Sequence, residues 1–390
     1  MRFIPYGRQE ITEEDIKSVL DTLSSDYLTQ GPRVELFEKE VNQYLNCKYS
    51  ISVNSATSAL HIACMALGLK NGDYLWTSPI TFVASANCAR YCDAYVDFVD
   101  IDIKTGLISI EKLKEKLVKA KKENCLPKVL VPVHLTGTSC NMEEIYKLSQ
   151  IYKFKIIEDA SHCFGAEYKN LKVGSCKFSD ITVFSFHPVK IITTGEGGIA
   201  TTNDPKLAQD MQKLRSHGIT KDEKLFKTKS LGPWFYEQQD LGYNYRITDI
   251  QASLGLSQLK RIDQIVKERQ RLRNIYEEAL SNEPITFLQR SKDVYSSVHL
   301  VVIVLNEKFK NFYKEIFISL RKAKIGVQLH YLPVHLQPYY KNLDFKEGDF
   351  PAAELYSKLA LSLPVFPGLD EREQEYVIEK LKFFLRKYKL

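Results

Sequence analysis

The sequence predicts an α/β protein, with a large domain of mostly parallel sheet flanked by helices and a smaller C-terminal α/β domain. Three observations predict it. Over roughly the first two hundred residues, short apolar runs alternate with segments of helical period, the pattern of repeated strand–helix–strand units. At 390 residues the chain exceeds one ordinary domain, given a prior of about 150 residues per domain. Its 44% hydrophobic and 26% charged residues are those of a globular chain able to bury a core.

The elements follow in order. Tyr49–Val53 reads as a strand and Ser55–Leu69 as a helix opened by small residues. Asp73–Thr77 is the next strand, and Phe82–Tyr91 the next helix. Tyr95–Asp100 precedes a helix over Ile110–Ala120, and Val129–His134 precedes the helix Met142–Tyr152. Lys155–Asp159 is a strand ending in a turn, and Ile181–Phe186 and Gly198–Thr202 are strands before the helix Pro205–Leu214. From Thr220 to about Asp240 the chain is polar and Lys-rich, with Trp234, Phe235 and Tyr236, and long enough for a functional loop. Thr248–Glu278 reads as one long helix, capped by Thr248 and Asp249 and linking a domain over 1–250 to one over 251–390. Strands at Val298–Leu305 and Gly326–His330 and helices at Asn311–Lys322, Ala353–Ala360 and Glu371–Leu385 complete the reading.

Several function classes drop out. A net charge of +6 is too small and too dispersed for a nucleic-acid binder. No apolar run reaches the ~18 residues of a membrane span, and Met1–Ile11 lacks the apolar core of a secretory signal. The expected compartment is cytoplasmic, with the eight cysteines reduced and mostly buried. Cys88 and Cys92 lie one helical turn apart, but no second pair completes a zinc site and there is no HExxH, so no metal site is expected. GxSxG is absent, and Gly195–Gly198 is not followed by the Lys-Ser/Thr of a phosphate loop.

The chemistry concentrates between Lys155 and Gly198. Asp159 ends one predicted strand and Lys190 follows another, so both fall at strand ends, where parallel sheets bind ligands. A lysine in a partly desolvated pocket loses its proton more easily and forms a Schiff base with an aldehyde. Pyridoxal phosphate needs, in addition, a carboxylate that keeps its ring nitrogen protonated. Asp159 can supply that charge, or merely cap the turn after it. Asn54–Ala59 follows a strand and opens a helix, which offers free N–H groups to a phosphate or is an ordinary capped helix. Ser185 can add a hydroxyl, Phe82 can stack on a cofactor ring or pack in the core, and His162 can reach a ring hydroxyl or cap a carbonyl.

The ordered motifs TQGP (Thr29–Pro32), NSATSAL (Asn54–Leu60), EDASH (Glu158–His162), FSFHPVK (Phe184–Lys190), GEGG (Gly195–Gly198) and GYNYRITDIQA (Gly242–Ala252) carry a resemblance. From about Tyr6 to the C-terminus the chain resembles the sugar-nucleotide aminotransferases of the DegT/StrS type. That resemblance implies a fold-type I pyridoxal-phosphate transferase, working as a homodimer with shared active sites. It makes Lys190 the Schiff-base residue and proton shuttle, and Asp159 the partner of the pyridinium nitrogen. Ala56, Thr57 and Ser185 become phosphate contacts, with Asn244 reaching in from the other subunit. Phe82 and His162 complete the implied cofactor set. Tyr6, Tyr27, Leu28, Thr29, Gln30, Ser55, Asn244, Arg246, His330, Tyr331, Leu332 and Pro333 fall where the family binds the nucleotide sugar.

SFHPVKIITTGEGG, GPWFYEQQDLGYNYR and HYLPVH are most similar to one branch of the family. That branch moves the amino group of L-glutamate to C4 of UDP-2-acetamido-2,6-dideoxy-β-L-arabino-hex-4-ulose in pseudaminic acid biosynthesis. Leu332 departs from the commoner HYKP form, which removes one positive charge near the UDP phosphates. The alternatives are C4 amination of another nucleotide 4-keto-6-deoxy sugar, of bacillosamine or perosamine type, and a non-catalytic cofactor-binding regulator. Lys190 itself separates the chain from related dehydratases, which carry a histidine there, because histidine cannot form the Schiff base.

Overall fold

The computed structural model describes residues 2–388. Two helices come first, α1 (Glu13–Leu23) and α2 (Pro32–Leu45), followed by strand β1 (Tyr49–Val53) and helix α3 (Ala56–Ala66). Then come β2 (Tyr74–Thr77), α4 (Ala84–Tyr91), β3 (Tyr95–Phe98), β4 (Val129–Val131) and β5 (Lys155–Asp159). A small hairpin, β6 (Glu167–Tyr168) and β7 (Leu171–Lys172), precedes β8 (Ile181–Ser185) and β9 (Gly198–Thr202). Seven of these strands form one sheet in the order β1-β9-β8-β5-β4-β2-β3. Only β9 runs antiparallel to its neighbours, so the sheet is mainly parallel.

The apolar runs explain the burial. Every residue of β4, β8 and β9 is buried, as expected of strands covered on both faces. Helix α3 begins where Ser55 Oγ accepts the N–H of Ser58, and its residues 58–64 are all buried. Because the strands are parallel, β2, β4, β5 and β8 end on the same edge. That edge carries the site.

The C-terminal part holds a three-stranded antiparallel sheet of Ile285–Phe287, Val301–Leu305 and Ala360–Leu363, with the helices Tyr313–Lys322 and Glu371–Lys387. Among the described residues no helix is long and apolar enough to cross a membrane. Five of the eight free cysteines are buried, and Cys47, Cys92 and Cys125 are half-buried.

Three expectations need correction. The run from Thr248 to Glu278 is two helices, Asp249–Leu259 and Ile262–Ala279. They part at Arg261, whose guanidinium reaches back 2.5 Å to both Glu10 and the buried Asp15 of α1. Gly326–His330 is not a strand; among the described residues it makes one isolated bridge, Gln328 with Ser362, just after the bridge of Ile4 with Ile325. The predicted helix Ala353–Ala360 is Pro351–Ser357, and Ala360 instead opens a buried strand, because ALSL is an apolar run too short to fix its own period.

Candidate active site

The strand ends open into a cavity of about 990 Å³ lined by Asp159, Lys190, Ser185, the start of α3 and residues 328–331. This volume is at the upper end for small-molecule sites. Tyr6, Ser55, Ala56, Thr57, Phe82 and His162 also line it.

Asp159 is the last residue of β5 and is buried. Its Oδ1 accepts the N–H of Ser161 at 3.1 Å, and its Oδ2 accepts the hydroxyl of Ser85 at 2.5 Å. Lys190 follows β8 in a turn where its N–H bonds to the carbonyl of His187 at 2.9 Å. Burial lowers the Lys190 amine to about 8, an effect opposed by the charge of Asp159. Half or more of the amine is therefore neutral at and above pH 8. Capture of an aldehyde by the cofactor-free protein is expected to quicken about tenfold per pH unit below 8 and to level off above it. Stopped-flow absorbance after mixing with pyridoxal phosphate checks this; a break near 10.5 would mean an ordinary, solvated lysine.

The anion seat is built by α3. With Ser58 N–H taken by Ser55, the N–H groups of Ala56 and Thr57 are first-turn donors without intrahelical partners. Gly198 of β9 passes directly beneath, and a Cβ there would meet Ala56 N at 2.5 Å and Ser55 C at 2.6 Å. Gly198→Ala is thus expected to displace the first turn of α3, costing about 1–3 kcal/mol of stability. Denaturant titration and cofactor retention on dialysis check it. Loss of cofactor should exceed loss of fold, because the displaced turn is the anion seat.

His162 lines the cavity with its Nε2 3.2 Å from the Tyr331 hydroxyl, and its buried Nδ1 has no partner among the described residues. Burial, with Lys190 and His330 nearby, holds the ring well below the usual histidine range, so it is neutral. His330 bonds to Ser362 Oγ at 2.8 Å and lies 4.9 Å from the ring of Tyr6; burial and then Lys190 push it down to about 3. Phe82 is 58% exposed at the rim, its ring 6.3 Å from that of Tyr331.

The residues fit pyridoxal phosphate. Paired first-turn donors suit the phosphate, an amine and a carboxylate share the cavity, and an unpartnered imidazole nitrogen borders it. Other expected residues are not brought in. Tyr27, Leu28, Thr29 and Gln30 are exposed outside the cavity, held where Thr29 bridges Thr248. Asn244 is exposed beside Arg246, which bridges Val53 at the end of β1. Leu332 is 60% exposed and Pro333 is buried, and neither lines the cavity.

Two participants escaped the sequence reading. His299 is buried with its ring 4.3 Å from that of His162, although 137 residues separate them in the chain, which no local pattern could reveal. Ser85 left a faint signal, since Thr81 and Ser85 sit four apart where a helix begins.

The model of the DegT/DnrJ/EryC1/StrS aminotransferase family matches residues 9–382. A UDP-4-amino-4,6-dideoxy-N-acetyl-β-L-altrosamine transaminase from Campylobacter jejuni is 38% identical over 387 residues, covering 99% of this chain and 98% of that protein. Among solved structures, Helicobacter pylori PseC, an aminotransferase involved in the biosynthesis of pseudoaminic acid, superposes with a TM-score of 0.91 at 33% identity, covering 99% of this chain and 100% of that one. The PLP-form of a sugar aminotransferase from Streptococcus pneumoniae gives 0.89 at 29% identity, with both chains fully covered at 100%.

Proposed function

The chain belongs to the DegT/DnrJ/EryC1/StrS aminotransferase family, and from that premise we propose which amino group it moves, and to what. It is a fold-type I pyridoxal-phosphate enzyme acting on nucleotide sugars. The proposed reaction transfers the amino group of L-glutamate to C4 of UDP-2-acetamido-2,6-dideoxy-β-L-arabino-hex-4-ulose, giving 2-oxoglutarate and the 4-amino sugar. The observation that carries it is a cavity joining Lys190 and Asp159 to the Tyr6, His330 and Tyr331 wall, in a chain 38% identical to the altrosamine transaminase.

When bound, pyridoxal phosphate supplies an electrophilic aldehyde carbon and a ring that accepts the electron pair left by a departing proton. The chain does the rest. Ala56 and Thr57 N–H and Ser185 Oγ would hold the phosphate, and Asp159 Oδ would keep a proton on the ring nitrogen. Phe82 would pack on the ring and His162 would bond its hydroxyl. Lys190 Nζ, its proton affinity lowered by burial, takes the α-proton of glutamate and later returns a proton to C4 of the sugar. His330, neutral across the physiological range, can bond sugar hydroxyl or acetamido groups without placing a charge beside Lys190.

The nucleotide end belongs, in this reading, to a homodimer. Ile16, Leu20 and Leu23 of α1 and the neighbouring Tyr27 and Leu28 are each about half exposed, an apolar face that a second copy would cover. Gln30 and Asn244 are exposed and Arg246 is half-buried, and none lines the cavity of its own chain, which then fits a role in the partner's cavity. The same reading divides the chain near residue 250 and places it in the cytoplasm. A different nucleotide 4-keto-6-deoxy sugar is the second reading, favoured by the uncharged, exposed Leu332 that follows Tyr331 of the cavity wall.

Incubation with L-glutamate and the UDP-ketosugar tests the proposal. Equimolar 2-oxoglutarate and 4-amino sugar are expected by mass spectrometry. No 2-oxoglutarate with any nucleotide-linked ketosugar would contradict it.

A further inference from the structure

We propose that Ser85, backed by Thr81, is a positioning residue for the reaction, its hydroxyl fixing the orientation in which the Asp159 carboxylate borders the cavity. The inference rests on the reading of Asp159 as partner of the cofactor ring nitrogen.

Asp159 is held from two sides. The backbone N–H of Ser161 takes Oδ1, and the Ser85 hydroxyl takes Oδ2 at 2.5 Å. Rotation about the carboxylate's last torsion would break both bonds. Ser85 Oγ has one proton and three neighbours: Asp159 Oδ2 at 2.5 Å, Thr81 Oγ1 at 2.6 Å and the Phe82 carbonyl at 3.4 Å. The carboxylate is the nearest and the charged acceptor, so the proton goes there. Thr81 must then donate to Ser85, and the three groups form a one-way chain from Thr81 through Ser85 to Asp159. Ser85 is 0% exposed and Thr81 2%, so solvent cannot stand in for either hydroxyl.

The local sequence explains the placement. Thr81 and Ser85 are four residues apart across the start of α4, where Ser85 N–H bonds to the Phe82 carbonyl at 3.2 Å and turns both side chains the same way. The turn that presents Phe82 at the rim thus also supplies the hydroxyl pair beneath it. An ordinary satisfied serine would need only one partner. Here the chain of donors ends on Asp159, the buried carboxylate at the end of β5.

The test compares Ser85→Ala, Thr81→Val, their double variant, Ser85→Thr and Asp159→Asn as holoenzymes. The readouts are single-turnover rates of both half-reactions, KM for the sugar nucleotide, cofactor dissociation followed by fluorescence, and thermal melting. Ser85→Ala is expected to slow both half-reactions roughly 10- to 100-fold and to weaken cofactor retention, with KM unchanged, as for a lost bond to a charged group. Thr81→Val should lose less in the same direction. The double variant should be no slower than Ser85→Ala, because Thr81 acts through Ser85. Ser85→Thr, which keeps the hydroxyl, should recover most of the rate. Parent-like rate and cofactor retention in Ser85→Ala, alongside a slow Asp159→Asn, would overturn the positioning role alone. Additive losses in the double variant would overturn it as well. A parent-like Asp159→Asn would instead overturn the reading of Asp159, and this inference with it.

Discussion

Replacing Lys190 with alanine is expected to reduce turnover by at least about ten-thousandfold, since the variant would lose both the proposed covalent attachment point and the proposed proton carrier. Loss of a general acid–base group alone removes roughly a hundredfold to ten-thousandfold, and the proposal gives one amine both roles. The fold should survive. Lys190 is only partly buried, makes no ion pair among the described residues, and follows β8 rather than interrupting it. Borohydride reduction of the parent should leave cofactor covalently fixed at Lys190, read by peptide mass. The variant should carry none. Retained turnover in Lys190→Ala, measured as 2-oxoglutarate release, would remove the assignment.

Asp159→Asn is the second large effect. The amide is nearly isosteric, so Ser85 can still bond to it, but it carries no charge to hold a proton on the ring nitrogen. A slowing on the order of a hundredfold to a thousandfold is expected, the scale of losing a preorganised electrostatic group. A second consequence separates this from general damage. The charge of Asp159 raises the Lys190 amine against the dominant effect of burial. Removing that charge should move the Lys190 break to lower pH than about 8, so the cofactor-capture profile of the variant should level off earlier. Melting temperature should change little by comparison. An unaltered profile with unaltered rate would place Asp159 in a merely structural role.

Much of this was legible in the chain itself. The parallel strands were, because βαβ units leave strands buried on both faces as near-continuous apolar runs, as in ITVFS of β8. Asp159 and Lys190 were legible because a parallel sheet places successive strand ends on one edge, so residues thirty-one apart could be put together. The helix start at Asn54–Ala59 was legible as a strand running into small residues, whereas the choice of Ala56 and Thr57 within it came from the family resemblance.

What the sequence hid is equally physical. The break at Arg261 depends on ion pairs with Glu10 and Asp15, some 250 residues away. Helix α1 buries Asp15 and Thr22 while Ile16 and Leu20 stay exposed, the reverse of the pattern that marks a surface helix of a monomer. His299 joins His162 only through the tertiary fold. Tyr27–Gln30, Asn244 and Arg246 do not line the cavity, so their place at the nucleotide end rests on the proposed homodimer.

The most direct measurement of the central claim follows the cofactor's visible absorbance. The enzyme is first converted to its amine-loaded form with L-glutamate and freed of excess donor. The two C5-epimeric UDP-2-acetamido-2,6-dideoxy-4-ketohexoses are then added separately. Return of the original band with the L-arabino epimer alone is the expected result. Return with the D-xylo epimer alone would contradict the proposed substrate while leaving the cofactor chemistry of Lys190 and Asp159 intact.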